Sequence, residues 1–293
     1  MTEETLCIRR PGLGATVQAS GRVGWRKFGV PASGPMDAHA AAWANRLLDN
    51  PPEAPVLELS LQGARVEALS DGWFAVTGAD ASANVPTWRA LRVRKGDAME
   101  FRENRCGVWV YVAVDGGFAV PAVLGAASAC ARAGLGTIAQ AGTILRRRVG
   151  GTFCLPPSVT ARLVPALERR DYGSPPALRV WPAPQHGLFS RPARAAFCSQ
   201  TWTVSPQSDR VGYRLLGTAL AEAPGQLLSE PVRVGTIQVP ENGLPIVTMR
   251  DGPTVGGYPK LGVLEPNDVS WLAQCRPGQP VRFRWCDEAR SEL

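Results

Sequence analysis

Short stretches in which apolar and polar positions alternate recur along the chain. In 56–61, Leu57, Leu59 and Leu61 alternate with Glu58 and Ser60, the period of a half-buried strand. Similar runs occupy 73–77, 99–101, 108–114, 178–181 and 281–285, punctuated by glycine, proline or aspartate, and each is expected to form a strand. One stretch has a helical period instead. Met36, Ala40, Trp43, Ala44 and Leu47 recur through 36–48, and Pro51-Pro52 follows. Ser33 or Gly34 is expected to cap this helix, with Pro35 at its first position and Asp37 in its first turn, where a carboxylate meets free backbone amides. The pattern predicts a mainly β protein with a few short helices.

Proline clusters suggest how the chain divides. Pro156-Pro157 and Ser174-Pro175-Pro176 bracket the charged Glu168-Arg169-Arg170-Asp171, which places a boundary near Gly173 and lobes at 1–173 and 174–293. A weak internal echo agrees with two lobes: 94–101 (RKGDAMEF) resembles 276–283 (RPGQPVRF), each reading as a turn into a strand.

The most informative segment is 235–260, GTIQVPENGLPIVTMRDGPTVGGYPK. Its apolar runs at 235–239 and 244–249 flank Pro240-Glu241-Asn242-Gly243, so it reads as a hairpin. The loop that follows holds Gly252, Gly256 and Gly257, which permit backbone angles closed to other residues and a close approach to a ligand, and it offers the hydrogen-bonding groups of Tyr258 and Lys260. Gln238 is the polar residue of an apolar strand and faces either solvent or a cleft. Upstream, Asp209 and Arg210 lie in a polar run just before strand-like 213–215. They either pair with each other to order the turn, or Arg210 receives a carboxylate or phosphate through two parallel hydrogen bonds.

Composition narrows the function classes. The chain has 293 residues, 45% hydrophobic, and a formal charge of +7, enough to bury a substantial core. Its 32 basic residues are spread along the sequence, and the one dense run, Arg146-Arg147-Arg148, is expected to be a solvated edge, so nucleic-acid binding is not expected. The most apolar region, 118–135, is broken by Pro121, Gly125, Arg132 and Gly134, which excludes a helical span of about 20 residues. The acidic start Met1-Thr2-Glu3-Glu4-Thr5 does not read as a secretory signal, and a cytoplasmic location is expected. Seven scattered cysteines are expected to be reduced and mostly buried, and with two histidines and no close cysteine pair no metal site is expected. No P-loop is present, and 134–139 fits a dinucleotide fingerprint only nominally, without a preceding strand or a following acidic residue.

Several signatures together resemble the family of the C subunit of 5-oxoprolinase, also called KipA-like or allophanate hydrolase subunit 2. They include Pro11-Gly12-Leu13, Thr16-Val17-Gln18, Gly21-Arg22, Gly29-Val30-Pro31, Ser33-Gly34-Pro35-Met36-Asp37, Thr77-Gly78-Ala79-Asp80, 132–136 (RAGLG), 204–217 (VSPQSDRVGYRLLG) and the hairpin with its loop. The likeness runs from residue 8 to residue 283. It implies two β-barrel-like lobes related to cyclophilin. It also implies one component of an ATP-dependent 5-oxoprolinase that works with a KipI-like B subunit and a lactam-hydrolase A subunit, with ATP shared with a partner. Two alternatives stand beside this. One is a carboxyltransferase component acting on urea or another amide, with biotin carried elsewhere because Ala98-Met99 is followed by Glu100 and not by an attachment lysine. The other is a non-enzymatic KipA-like antagonist of a KipI-like kinase inhibitor. Opening a stable lactam needs charge stabilisation at its amide oxygen. The resemblance makes Lys260, Tyr258 and Arg210 the catalytic candidates, and Gln238, Asp209, Gly256, Gly257, Ser33 and Asp37 the candidates for substrate binding. The chain departs from the family at 137–143, where glycines are replaced, and at 253–255, where Pro-Thr-Val stands for Gln-Thr-Thr.

Overall fold

Glycine and proline turns cut the chain into short strands that gather into two units, Met1–Gly24 with Ala32–Tyr172, and Trp25–Pro31 with Gly173–Leu293. The computed structural model describes residues 1–60, 62–103, 105–150, 153–156, 159, 161–221 and 225–286. Leu61 and Pro157, used above to read a strand and a boundary, lie outside the described residues. The segment Trp25–Pro31 counts with the second unit, whereas a single boundary near Gly173 would put it in the first. Within the second unit, Arg26 donates from its guanidinium to the carbonyl of Val232.

The first unit contains β1 (Thr2–Pro11), β2 (Ala15–Gln18), α1 (Ala38–Arg46), β3 (Val56–Ser60), β4 (Ala64–Ala68), β5 (Gly72–Asp80), β6 (Arg89–Val93), β7 (Ala98–Phe101), β8 (Cys106–Val114) and β9 (Ile144–Arg148). They form antiparallel sheets ordered β7-β4-β1-β9 and β2-β3-β8-β5-β6. Leu6, Ile8, Val66, Met99 and Phe101 of one sheet share a core with Val17, Leu57, Val76, Val110 and Val112 of the other. Each such side chain contributes roughly 1.5–3 kcal/mol by leaving water.

Three expectations for this unit need correction. Strand β3 is buried on both faces, Glu58 included, because α1 packs on it and the Met36 amide just before that helix supplies a polar partner for the carboxylate. Helix α1 starts later than expected, and its cap is Asp37 itself, whose Oδ1 accepts from the Ala40 amide at 3.0 Å. The Arg146-Arg147-Arg148 run is not simply a solvated edge. Arg147 is largely buried and clamps Glu3 and Asp115 at 2.7 and 2.5 Å, while Arg146 pairs with Glu4 across the β1–β9 ladder.

The second unit contains β10 (Leu178–Pro182), α2 (Arg191–Ser199), β11 (Trp202–Val204), β12 (Gly212–Leu216), β13 (Glu230–Pro231), β14 (Thr236–Gln238), β15 (Ile246–Thr248), β16 (Val255–Gly256), β17 (Lys260–Leu264), α3 (Pro266–Ala273), β18 (Pro280–Val281) and β19 (Phe283–Trp285). Eight strands run in the order β18-β11-β12-β15-β14-β17-β10-β19. The two end strands are successive pieces of one segment, 280–285, interrupted at Arg282. The sheet therefore curls back on itself into a nearly closed barrel, which leaves little free edge. Phe197 of α2 stacks on Phe283 at 4.8 Å and lies beside the fully buried Trp202. Asp268 of α3 fixes β10 by accepting from the Arg179 amide and forking onto its guanidinium.

The internal echo has a structural counterpart. Asp97 N donates to Arg94 O and Gln279 N to Arg276 O; the side chains of Asp97 and Gln279 accept from the amides of Arg94 and Arg276; and Gly96 and Gly278 both take φ above +80°. Each turn opens directly into a strand, β7 or β18. Among the described residues no helix is long and apolar enough to cross a membrane.

Candidate functional site

The hairpin read from 235–249 exists, with β14 antiparallel to β15 and Gly243 at φ 71° closing the turn onto Pro240 O. Strands β12, β15, β14 and β17 lie side by side, and their register sets Arg214 opposite Ile246, Ile246 opposite Gln238, and Gln238 opposite Lys260 across a bulge. Residues opposed in this way share one face of a sheet. Their neighbours Tyr213, Val247 and Ile237 point into the core, so the row Arg214-Ile246-Gln238-Lys260 decorates the outer face of the barrel.

One end of that row is covered. The two-stranded ribbon β13–β16 brings Glu230 and Gly256 over it. Lys260 and Gln238 are each 6% exposed. The Lys260 ammonium donates to Glu230 Oε1 at 2.8 Å and weakly to Gly256 O at 3.4 Å. Gln185 ties the pair together, accepting from the Lys260 amide at 2.8 Å and donating to Glu230 Oε1 at 2.5 Å. Gln238 donates to Thr248 Oγ1 at 3.0 Å, so it faces neither open solvent nor the core but this covered patch. The ion pair is asymmetric: the ammonium is buried, whereas the Glu230 side chain is 46% exposed. Hydration of the carboxylate limits the cost of opening the pair.

The glycines serve this patch differently from the sequence expectation. Gly252, Gly256 and Gly257 do not take left-handed φ. Their requirement is closeness: a Cβ on Gly256 would stand 2.8 Å from Gln238 Oε1, one on Gly257 2.7 Å from Leu227 O, and one on Gly252 would strike Thr248 Cγ2.

Arg210 and Asp209 do not pair with each other. Arg210 forks onto Asp251, with Nε and Nη2 at 2.7 and 3.1 Å from its two oxygens, and Asp251 N donates back to Arg210 O. Asp251 lies at the start of the glycine loop and is nearly buried. The forked carboxylate expected for Arg210 therefore comes from within the chain, and the pair anchors the loop. Asp209 Oδ1 accepts from the amides of Val211 and Gly212 and closes a local turn. Tyr258 is 43% exposed and lines a cleft of about 230 Å³ together with Arg214, Ser205, Gln207, Asn242 and Ile246.

Ser33 and Asp37 belong to the first unit. Asp37 is fully buried and accepts from Tyr172 Oη at 2.6 Å, while its amide donates to Tyr111 Oη at 2.7 Å. Tyr111 donates in turn to Glu58 Oε2, which also accepts from the Met36 amide. Burial pushes both phenols well above their ordinary range, and the nearby carboxylates, Glu58 and Asp37 for Tyr111 and Asp37 for Tyr172, add to the effect. Ser33 takes φ 58°, and its buried hydroxyl has no partner among the described residues.

The seven cysteines are free thiols; Cys7, Cys130 and Cys275 are buried, Cys154 is exposed and the others are intermediate, fewer buried than expected. Burial raises Cys198 to about 11 and Cys275 to about 12, the opposite of an activated nucleophile. Sequence reasoning missed Glu230, Gln185, Asp251, Thr248 and Arg214. Thr248 was signalled by its place two residues after Ile246 on one strand face. Glu230 and Gln185 lie 30 and 75 residues from Lys260 and carry no local signal.

Residues 28–285 match the family described as carboxyltransferase domain, subdomain A and B. The chain is 36% identical over 289 residues to the C subunit of 5-oxoprolinase from Escherichia coli, covering 96% of this chain and 91% of that protein. The corresponding Haemophilus influenzae protein is 33% identical, with 92% and 87% covered. Urea amidolyase of Lachancea kluyveri is 27% identical over 94% of this chain, which corresponds to 16% of that protein. The solved structure of TTHA0988 superposes with a TM-score of 0.82 at 35% identity, covering 96% of this chain, which spans about half (55%) of that chain. Kluyveromyces lactis urea carboxylase shares the fold at a TM-score of 0.86, over 98% of this chain and 28% of that one, with 23% identity. On these matches the chain belongs to the carboxyltransferase-domain family, as a carboxyltransferase-like subunit of the kind that includes the 5-oxoprolinase C subunit.

Proposed function

We infer that the protein is the C subunit of an ATP-dependent 5-oxoprolinase, converting 5-oxoproline to glutamate with a KipI-like B subunit and a lactam-hydrolase A subunit. One observation carries the reading. The buried Lys260 ammonium stands on a barrel face beside Gln238 and Gln185, in a chain matched nearly end to end by the E. coli 5-oxoprolinase C subunit.

The lactam carbonyl is a poor electrophile because nitrogen donates into it. Phosphorylation of the lactam oxygen by ATP would open the carbonyl carbon to water; the ring C–N bond then breaks with the nitrogen leaving as the amine, and phosphate departs as the new carboxylate forms. This chain has no Gly-x4-Gly-Lys-Ser/Thr loop, and we assign it the lactam end of the reaction, with the nucleotide shared with a partner subunit. Lys260 carries fixed positive charge in a site with little water, where it stabilises negative charge growing on the amide oxygen more strongly than in bulk solvent. Gln238, held by Thr248, offers a neutral amide to the ring. Glu230 holds Lys260 in place before substrate arrives and releases it by turning to solvent. Tyr258 presents a hydroxyl at the rim of the neighbouring cleft, and the Arg210–Asp251 pair sets the path of the loop that carries it.

A second reading, a carboxyltransferase component for urea or another amide with biotin brought by another protein, is supported by the similarity to urea amidolyase over 94% of the chain. Glutamate release from 5-oxoproline by the chain assembled with its co-encoded partners, with and without ATP, separates the two. ATP-dependent release that requires this chain is expected, and Lys260→Met should lower kcat by about 10²–10³-fold, the effect typical of removing one charge-stabilising donor, with unchanged circular dichroism. A folded, assembled wild-type complex that releases no glutamate overturns the reading and directs attention to carboxylation of urea.

A further inference from the structure

The substrate just assigned is a carboxylate as well as a lactam, and the site must hold a negative charge away from the reacting bond. The two cations first expected there are already neutralised, Lys260 by Glu230 and Arg210 by Asp251. The geometry points to Arg214 as the residue that receives the substrate carboxylate, which makes it a specificity determinant of the site; this rests on the 5-oxoprolinase reading.

Four observations carry it. Arg214 occupies the exposed end of the row whose covered end is Lys260, three strands away, a span of roughly 14 Å between backbones at the usual strand spacing. The row lies on one face, and of its members Arg214 and Ile246 line the open cleft while Gln238 and Lys260 lie beneath the ribbon. The Arg214 guanidinium makes no ion pair or hydrogen bond among the described residues, while its backbone is fixed in β12 and by Ser208, whose Oγ accepts from its amide at 3.1 Å. The cleft it lines, about 230 Å³, includes Tyr258, Gln207, Asn242 and Ser205 but no carboxylate. An unopposed guanidinium on a rigid strand, in a cleft otherwise lined by apolar side chains and neutral hydrogen-bonding groups, suits bidentate capture of a small carboxylate.

The ring then lies over Ile246, whose side chain is partly exposed beside Gln238, and its amide end is directed along the row toward Lys260. Charge capture at Arg214 acts equally on ground state and transition state, so it governs KM and not kcat.

The experiment is a steady-state analysis of glutamate release by the complete complex with ATP, comparing wild type, Arg214→Gln and Arg214→Lys. Arg214→Gln is expected to raise KM for 5-oxoproline by about 10- to 100-fold, the loss of a forked charge-assisted contact, with kcat within a few-fold of wild type. Arg214→Lys should recover part of the loss, and thermal stability should be unchanged because the side chain is exposed and unpaired. An unchanged KM in Arg214→Gln, with wild type active, overturns the assignment and leaves the function standing. A fall in kcat at constant KM, or a fall in thermal stability that matches the loss of activity, also overturns it. A wild-type complex that releases no glutamate removes the function and this inference together.

Discussion

The two units each bury a polar cluster against a sheet, but they complete it differently. In the first unit, Glu58, Tyr111, Asp37 and Tyr172 form one chain of hydrogen bonds between 2.6 and 2.8 Å, and every member is buried. In the second, Lys260 and Gln238 are buried while Glu230, Tyr258 and Arg214 reach solvent. A network whose members satisfy one another fixes a backbone, here the entry of α1 and the strands beneath it. A network with one buried charge and exposed, exchangeable partners can pass that charge to a ligand. The contrast fits a structural role for the first cluster and the proposed chemistry for the second.

The second unit also holds a closed pair, and breaking it should give the largest loss of stability. Arg210→Ala leaves Asp251, 5% exposed at its side chain, without its fork, and should destabilise the unit by about 3 kcal/mol. Arg210→Ala with Asp251→Ala should cost clearly less than the sum of the single changes, the coupling expected for one shared interaction. Denaturant unfolding of the four proteins measures this. Additive losses would show that Arg210 and Asp251 act separately, and Arg210 would then return to the list of ligand-binding candidates.

A slightly smaller effect tests the first cluster. Asp37→Ala removes a helix cap, worth about 1 kcal/mol, and takes an acceptor from the buried Tyr172 hydroxyl, about 1–2 kcal/mol more. The combined loss, about 2–3 kcal/mol, should appear as a lower unfolding midpoint, with specific activity per folded complex held at the wild-type value. A large drop in kcat in protein that remains folded would make Asp37 a member of the site and break the contrast drawn above.

How much of this was legible beforehand follows from the range of each interaction. Strands such as 108–114 and the hairpin at 235–249 are written in local alternation and turn residues, and they appear as β8 and as β14 with β15. The helix is visible in its period, but its cap is not, because Ser33, Gly34 and Asp37 are all acceptable caps and only the φ of 58° at Ser33 and the contact of Asp37 with Ala40 decide between them. Lys260, Gln238 and Gly256 come together as expected, since one hairpin and its loop carry all three. The partners of the charges were not legible. Arg210 meets Asp251 and not its neighbour Asp209 because Asp209 is consumed by the turn amides, and Glu230 reaches Lys260 only through a ribbon that pairs 230–231 with 255–256. Sequence marks the loop glycines as places of close approach, and that part holds; contact, not dihedral freedom, forbids a side chain at Gly256.

The smallest effect is one of pH, and it reports closure directly. Burial lifts the Tyr111 and Tyr172 phenols well above 10.0 and the Cys275 thiol from 9.0 to about 12. In each case the folded chain favours the protonated, neutral form. These groups therefore contribute their full share of stability below the unfolded values, and the share is lost as pH climbs from about 9 toward the folded values, because the unfolded chain releases protons that the folded chain retains. Unfolding free energy should be nearly level between about pH 7 and about 8.5 and decline above about pH 9. Cys275→Ala should remove the earliest part of the decline, and Tyr172→Phe a later part. Alkylation in the native state should follow exposure, with exposed Cys154 reacting first and Cys275 only as the chain opens. Phenolate absorbance from Tyr111 and Tyr172 that rose while the near-ultraviolet dichroism was still native would show that the first unit's cluster admits solvent, and the distinction between a sealed scaffold and an open site would then no longer separate the two units.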